Sequence, residues 1–169
     1  AVKKVYDWAH GITIGKIMDG YTFELLKAFQ PVRAGDYTVI PLPARHDDNE
    51  NCFIFVIRKG GKTILYGNDT GMLYEEVFDY LKKEQIYFDM VSLDCTMVEN
   101  PVSDEGTHLG IDGDVRVLKR FRENGNIDDK TKLFANHFSH NGNPMQEHLE
   151  SLLLPHGIMP AYDGLEVEL

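Results

Sequence analysis

Five side chains in this sequence are of the types that bind cations or move protons, and each falls at or just after the end of an apolar run. They are His46, Asp69, Asp94 and His137, with His108 in the polar loop that follows Asp94. Imidazole nitrogens together with a carboxylate oxygen form the ligand set of zinc, manganese or iron, and an aspartate can bridge two cations. Cations held in this way lower the pKa of a bound water and stabilise charge on a substrate oxygen. Each residue also has a plainer reading. Asp69, in Gly67-Asn68-Asp69-Thr70-Gly71, stands where it or Thr70 could cap a helix over Leu73 to Glu84. His46, beside Asp47 and Asp48, reads equally as an exposed loop histidine, and Asp94 as a satisfied turn residue. In His137-Phe138-Ser139-His140 the two histidines lie at i, i+3, and one of them can be simply exposed. His10, His148 and His156 carry no motif. Glu147 and Glu150 read as the solvated face of a short helix, and Asp47, Asp48 and Glu50 as a charged loop rim.

The elements that must position these groups follow from patterning. Residues 1 to 35 have scattered apolar positions without a clean period and are expected to be helical or irregular. Tyr37 to Pro43 is β-branched and ends at prolines, a strand running into the loop that carries His46. Cys52 to Ile57 and Thr63 to Gly67 flank Gly60-Gly61 and predict an antiparallel hairpin. Leu73, Val77, Tyr80 and Leu81 recur at helical spacing. Phe88 to Leu93 reads as a buried strand ending at Asp94, and residues 114 to 124 as a helix closed by Gly125. Lys132 to Asn136 is a strand ending at His137, and Pro144 opens a helix through Leu154. Short strands are expected at Ile158-Met159 and Leu165 to Val167. The sum is an α/β layer: a mixed sheet with helices against at least one face, whose strand ends can converge on one edge.

Composition narrows the function. The chain has 169 residues, 43% hydrophobic, enough for one domain with a substantial core. With 27 acidic and 17 basic residues the net charge is −10, which argues against nonspecific nucleic-acid binding, although Lys119, Arg120 and Arg122 cluster on one helix. Cys52 and Cys95 lie in apolar runs and read as reduced core residues of a cytoplasmic protein. No apolar run approaches the ~18 residues of a membrane span, so neither a span nor export is expected.

The ordered set of motifs carries a resemblance. Pro41-Leu42-Pro43-Ala44-Arg45-His46, Tyr66-Gly67-Asn68-Asp69-Thr70-Gly71, Leu93-Asp94-Cys95, Gly106-Thr107-His108, Asn136-His137-Phe138-Ser139-His140 and Ala161-Tyr162-Asp163-Gly164 together resemble the C-terminal half of a metallo-β-lactamase-fold hydrolase. The resemblance covers residues 36 to 169. It is nearest to the phosphoribosyl cyclic phosphodiesterases of phosphonate breakdown, relatives of the tRNA 3′-processing endonucleases. It implies an αβ/βα sandwich with the site along one edge, of which this chain is mostly the second half. It further implies that His46 completes a first metal site, Asp69 bridges both metals and His137 belongs to the second. His108 then faces the scissile phosphate, His140 touches a ligand or the substrate, and Asp94 supports a metal-bound histidine.

On this resemblance the expected activity is metal-dependent hydrolysis of a small-molecule phosphodiester by a hydroxide bridging two divalent ions, zinc or manganese. Lactone, thioester or β-lactam hydrolysis on the same fold is the alternative. The family's His-x-His-x-Asp-His signature is absent from the sequence, and the chain begins at Ala1. Residues 1–169 are therefore expected to form a single, N-terminally incomplete domain, with 1–35 as a leading segment and 36–169 as the motif-bearing part. Alone it would be inactive or a noncatalytic partner half, with partial metal occupancy or none. No membrane or nucleic-acid partner is expected. An uncovered sheet face would favour a homo-oligomer or domain-swapped dimer.

Overall fold

In a computed structural model that describes residues 25–140 and 145–169, the Gly60-Gly61 turn and its flanking apolar runs form the centre of a sheet. Both glycines have positive φ, 59° and 81°, the conformation that lets a two-residue turn match the twist of its strands. The turn joins β3 (Phe53–Lys59) to β4 (Lys62–Gly67); β1 (Val32–Ala34) and β2 (Tyr37–Pro43) extend the antiparallel part on one side. On the other side β5 (Met90–Asp94), β6 (Lys132–Asn136) and β7 (Met159–Pro160) run parallel to β4, giving a seven-stranded mixed sheet in sequence order. Parallel neighbours need crossovers, and α1 (Glu75–Lys83), α2 (Ile111–Glu123) and α3 (Gln146–Leu153) supply them. Pro41 is tolerated in β2 because β1 pairs no further along than Val39, so no neighbour on that side needs its missing N–H.

Register places one apolar row across the sheet: Ile40 opposite Val56, Val56 opposite Leu65, Leu65 opposite Val91, and Val91 opposite Leu133. All five are buried. They share a single core with Val77, Phe78 and Leu81 of α1, Val117, Leu118 and Phe121 of α2, and Leu149 and Leu153 of α3. Each such side chain contributes about 1.5–3 kcal/mol by leaving water. The alternate positions of the strands face the other way. There Phe55, Ile57, Ile64 and Met90 are half-buried and Tyr66 is exposed, all outside that core. A cavity of about 540 Å³ lies on this face, between Tyr66, Met90 and Phe134 and the C-terminal stretch Ala161 to Val167.

Several expectations are corrected. Neither Asp69 nor Thr70 caps a helix: α1 begins at Glu75, with Tyr74 at its N-cap and no side-chain cap. The Thr70 hydroxyl instead accepts the Arg45 N–H at 3.2 Å and donates to the Gly71 carbonyl at 3.1 Å, a long-range tie that overrides the local capping pattern. Leu165 to Val167 forms no strand, and the short β7 ends at Pro160. The basic cluster on α2 is neutralised: Arg120 pairs with Glu75, Arg122 with Asp129 and Lys119 with Glu123. Within the leading segment Val32–Ala34 is a strand. His10 and Pro144 lie outside the described residues. Among those described, no helix is long and apolar enough to cross a membrane.

Candidate metal centre

The parallel strands end in step. Gly67, Leu93 and Ala135 are cross-strand partners, as are Asp94 and Asn136, so Asp69, Asp94 and His137 leave the sheet side by side. His46 follows β2 and reaches them through its neighbour: the Arg45 carbonyl accepts the Gly71 N–H at 2.8 Å, and the Arg45 guanidinium stacks on Tyr74. His108 comes back on the loop after β5, anchored where the Leu109 N–H donates to Asp94 Oδ1 at 3.1 Å. Gly71 is required here, because a Cβ on it would stand 1.7 Å from the Gly106 carbonyl oxygen of the His108 loop.

Two aspartates divide the work by environment. Asp94 is fully buried, and both oxygens are occupied: Oδ1 by the backbone N–H groups of Thr96 and Leu109, Oδ2 by the Thr96 hydroxyl and His108 Nδ1. His137 Nδ1 is also near, 3.3 Å from Asp94 Oδ2 and 2.8 Å from Thr96 Oγ1. This favours the Nδ1–H tautomer in both rings and leaves Nε2 as the free nitrogen. Asp69 is half-exposed and accepts no hydrogen bond from the histidines around it. Its Oδ1 has His137 Nε2 at 3.3 Å, His46 Nε2 at 3.9 Å and His108 Nδ1 at 4.0 Å. Two donors sharing a tetrahedral cation at ordinary bond lengths stand about 3.4 Å apart; the His137 spacing is of that size, the His46 spacing is wider, and His108 Nδ1 is already engaged by Asp94.

One ligand atom each from Asp69, Asp94, His108 and His137 lies within 4.8 Å of all the others, and His46 adjoins them, its ring 5.1 Å from that of His108. Of these groups Asp94 is the least available to a cation, because its lone pairs are already taken. The backbone is strained at two of the others: Asp69 and His137 have φ of 53° and 61°, in the left-handed region. His140 is exposed and outside the cluster. His148 pairs with Glu99 at 2.8 Å, away from the site. Sequence reasoning missed Thr96, whose signal was its place two residues after an aspartate, the spacing at which Asp bonds the backbone ahead of it. It also missed Asp114, for which helical patterning held no signal beyond a carboxylate among apolar residues.

No family model matches this chain, and no curated protein matches it in sequence. Solved structures do. The metallo-β-lactamase fold protein YhfI from Bacillus subtilis superposes with a TM-score of 0.57 at 15% identity, over 90% of this chain and 61% of that one. Zn(2+)-bound PqqB from Methylobacterium extorquens gives 0.60 at 15%, over 86% and 55%. Igni18, a metallo hydrolase from Ignicoccus hospitalis, gives 0.50 at 15%, over 90% and 62%. The chain therefore has the metallo-β-lactamase fold, and it spans between 55% and 62% of the length of these three structures. At such identity the likeness speaks for the fold and does not select a branch.

Proposed function

We propose that this chain carries part of the metal centre of a metal-dependent hydrolase acting on a small-molecule phosphodiester. The observation that carries the reading is the half-exposed Asp69 carboxylate with three histidine nitrogens around one oxygen, none of them hydrogen-bonded to it. His46, Asp69 and His137 are the proposed ligands, since they turn Nε2, Oδ1 and Nε2 toward one another. Two divalent ions, zinc or manganese, would supply Lewis acidity for activating water and neutralising phosphate charge. His108 keeps Nδ1 on Asp94, which fixes its ring and frees Nε2 to hold or deliver a proton at a substrate oxygen. Asp94 orients His108 and His137 together. His140, exposed and outside the cluster, is proposed to touch substrate rather than metal. PqqB with bound zinc and Igni18, a metallo hydrolase, support metal chemistry on this fold, and the two unbridged cysteines fit a reducing, cytoplasmic setting.

The test is a cobalt or zinc titration of the full-length protein, followed by cleavage of bis(p-nitrophenyl) phosphate. Binding of two ions with metal-dependent cleavage supports the reading. Two-metal binding with cleavage of lactones or thioesters alone replaces the substrate class, and no binding by the intact protein makes the chain a noncatalytic scaffold.

A further inference from the structure

One buried carboxyl has no part in the chemistry above. Asp114 of α2 is fully buried, and neither of its oxygens has a hydrogen-bond partner of ordinary geometry. The groups that face it are Cys95, also fully buried, and Asp94. Two buried carboxyls thus sit behind the same strand end in opposite environments. Asp94 receives two backbone N–H groups, a hydroxyl and an imidazole, so both of its oxygens are engaged. Asp114 has no such donors and is sealed from water, which favours the acid. Burial pushes the Asp114 carboxyl well above its ordinary value; the Cys95 thiol opposes this and the charge of Asp94 adds to it. Burial likewise pushes the Cys95 thiol far up, so it too stays neutral.

We infer that Asp114 is a positioning residue, a neutral carboxylic acid that supports the end of β5 through Cys95 and leaves Asp94 the single buried anion shared by His108 and His137. The physical reason is charge economy in a low dielectric. A second charge here would be buried without a partner behind the carboxyl that orients His108 directly and His137 through Thr96, and an unpaired charge in a low dielectric is costly. A neutral acid preserves the packing without that cost.

The experiment compares urea unfolding of the full-length wild type and D114N between pH 4.5 and 8. Above the ordinary carboxylate value of 3.8 the unfolded chain has lost the Asp114 proton while the native state keeps it. Wild-type stability should therefore fall with rising pH relative to D114N, by about tenfold in folding equilibrium constant per pH unit, until the native pKa is reached. A flat difference overturns the inference, because Asp114 would then be ionised in the native state. The second arm rests on the metal reading. Cobalt affinity should be kept in D114N and weakened about tenfold in D114A, as for other loss of support behind a ligand. A folded D114A with wild-type affinity overturns the positioning role; if D114A does not fold, C95A removes the linking group and is read in the same way. A wild type that binds no cobalt counts against the metal reading and leaves the pH arm to decide the protonation of Asp114.

Discussion

Where β4, β5 and β6 begin, Asp89 accepts the Thr63 N–H at 2.8 Å and the Lys62 ammonium at 2.9 Å, while Asp128 accepts the Lys130 N–H at 2.7 Å and the Tyr87 hydroxyl at 2.8 Å. Where the same strands end, Asp69 has three histidines around it and a hydrogen bond to none of them. His46 Nδ1 and Asn68 Oδ1 are buried there without partners, and two residues hold left-handed backbone. Residues of the same types therefore serve opposite ends. At the starting edge their bonds are made within the fold and act on stability. At the finishing edge the bonds of Asp94 are made as well, but Asp69 and His46 Nδ1 are left without them and the backbone is strained at Asp69 and His137, which leaves donor atoms available for a ligand.

Substitutions that respect this division should separate activity from stability. The largest effect is expected for Asp69→Asn, which keeps the side-chain shape and suits the left-handed backbone. In the full-length protein it should lower the proposed phosphodiester cleavage on the order of 10³-fold, with bound metal lost and the thermal midpoint of the metal-free protein unchanged. A drop in stability with metal content intact would make Asp69 structural and erase the contrast. Asp94→Asn should affect both properties: about 10–100-fold in cobalt affinity and about 1–3 kcal/mol in urea unfolding, because two imidazoles and two N–H groups lose an anionic acceptor.

Gly71→Ala tests the contact that seats the His108 loop. Its Cβ must displace the Gly106 carbonyl, at about 1–3 kcal/mol, and cleavage should fall while cobalt binding holds, since the role proposed for His108 is on the substrate side. The smallest effect belongs to the starting edge. In Asp89 burial alone would raise the carboxyl pKa, but the Thr63 N–H and Lys62 outweigh it and the net shift is downward. That stabilisation is present above the ordinary carboxylate value and is lost as pH falls through the lowered native one. Asp89→Asn should cost about 1 kcal/mol at neutral pH, weaken the acid dependence of unfolding, and leave activity alone. An activity loss there would show that the two edges are coupled.

Much of this arrangement is legible in the chain. Alternation in Phe53 to Lys59, the Gly60-Gly61 turn, helical spacing in Val77 to Leu81 and apolar strands ending at polar residues are local signals that act over a few residues. The resemblance carried by the ordered motifs named the fold that the solved structures show. The capping alternative at Asp69 and Thr70 could not be decided locally, because the partner that competes for Thr70, Arg45, lies 25 residues away.

The sequence by itself determined the residue types at each strand end and the elements that carry them, because periodicity and turn chemistry are properties of short segments. Only the tertiary structure decided which aspartate is sealed and which is open. Asp94 is saturated by Thr96, His108 and Leu109, while His137 is brought to Thr96 across 41 residues by the parallel register of β5 and β6. Availability for a cation depends on which lone pairs those distant contacts leave unused, and no stretch of sequence around either aspartate contains that information.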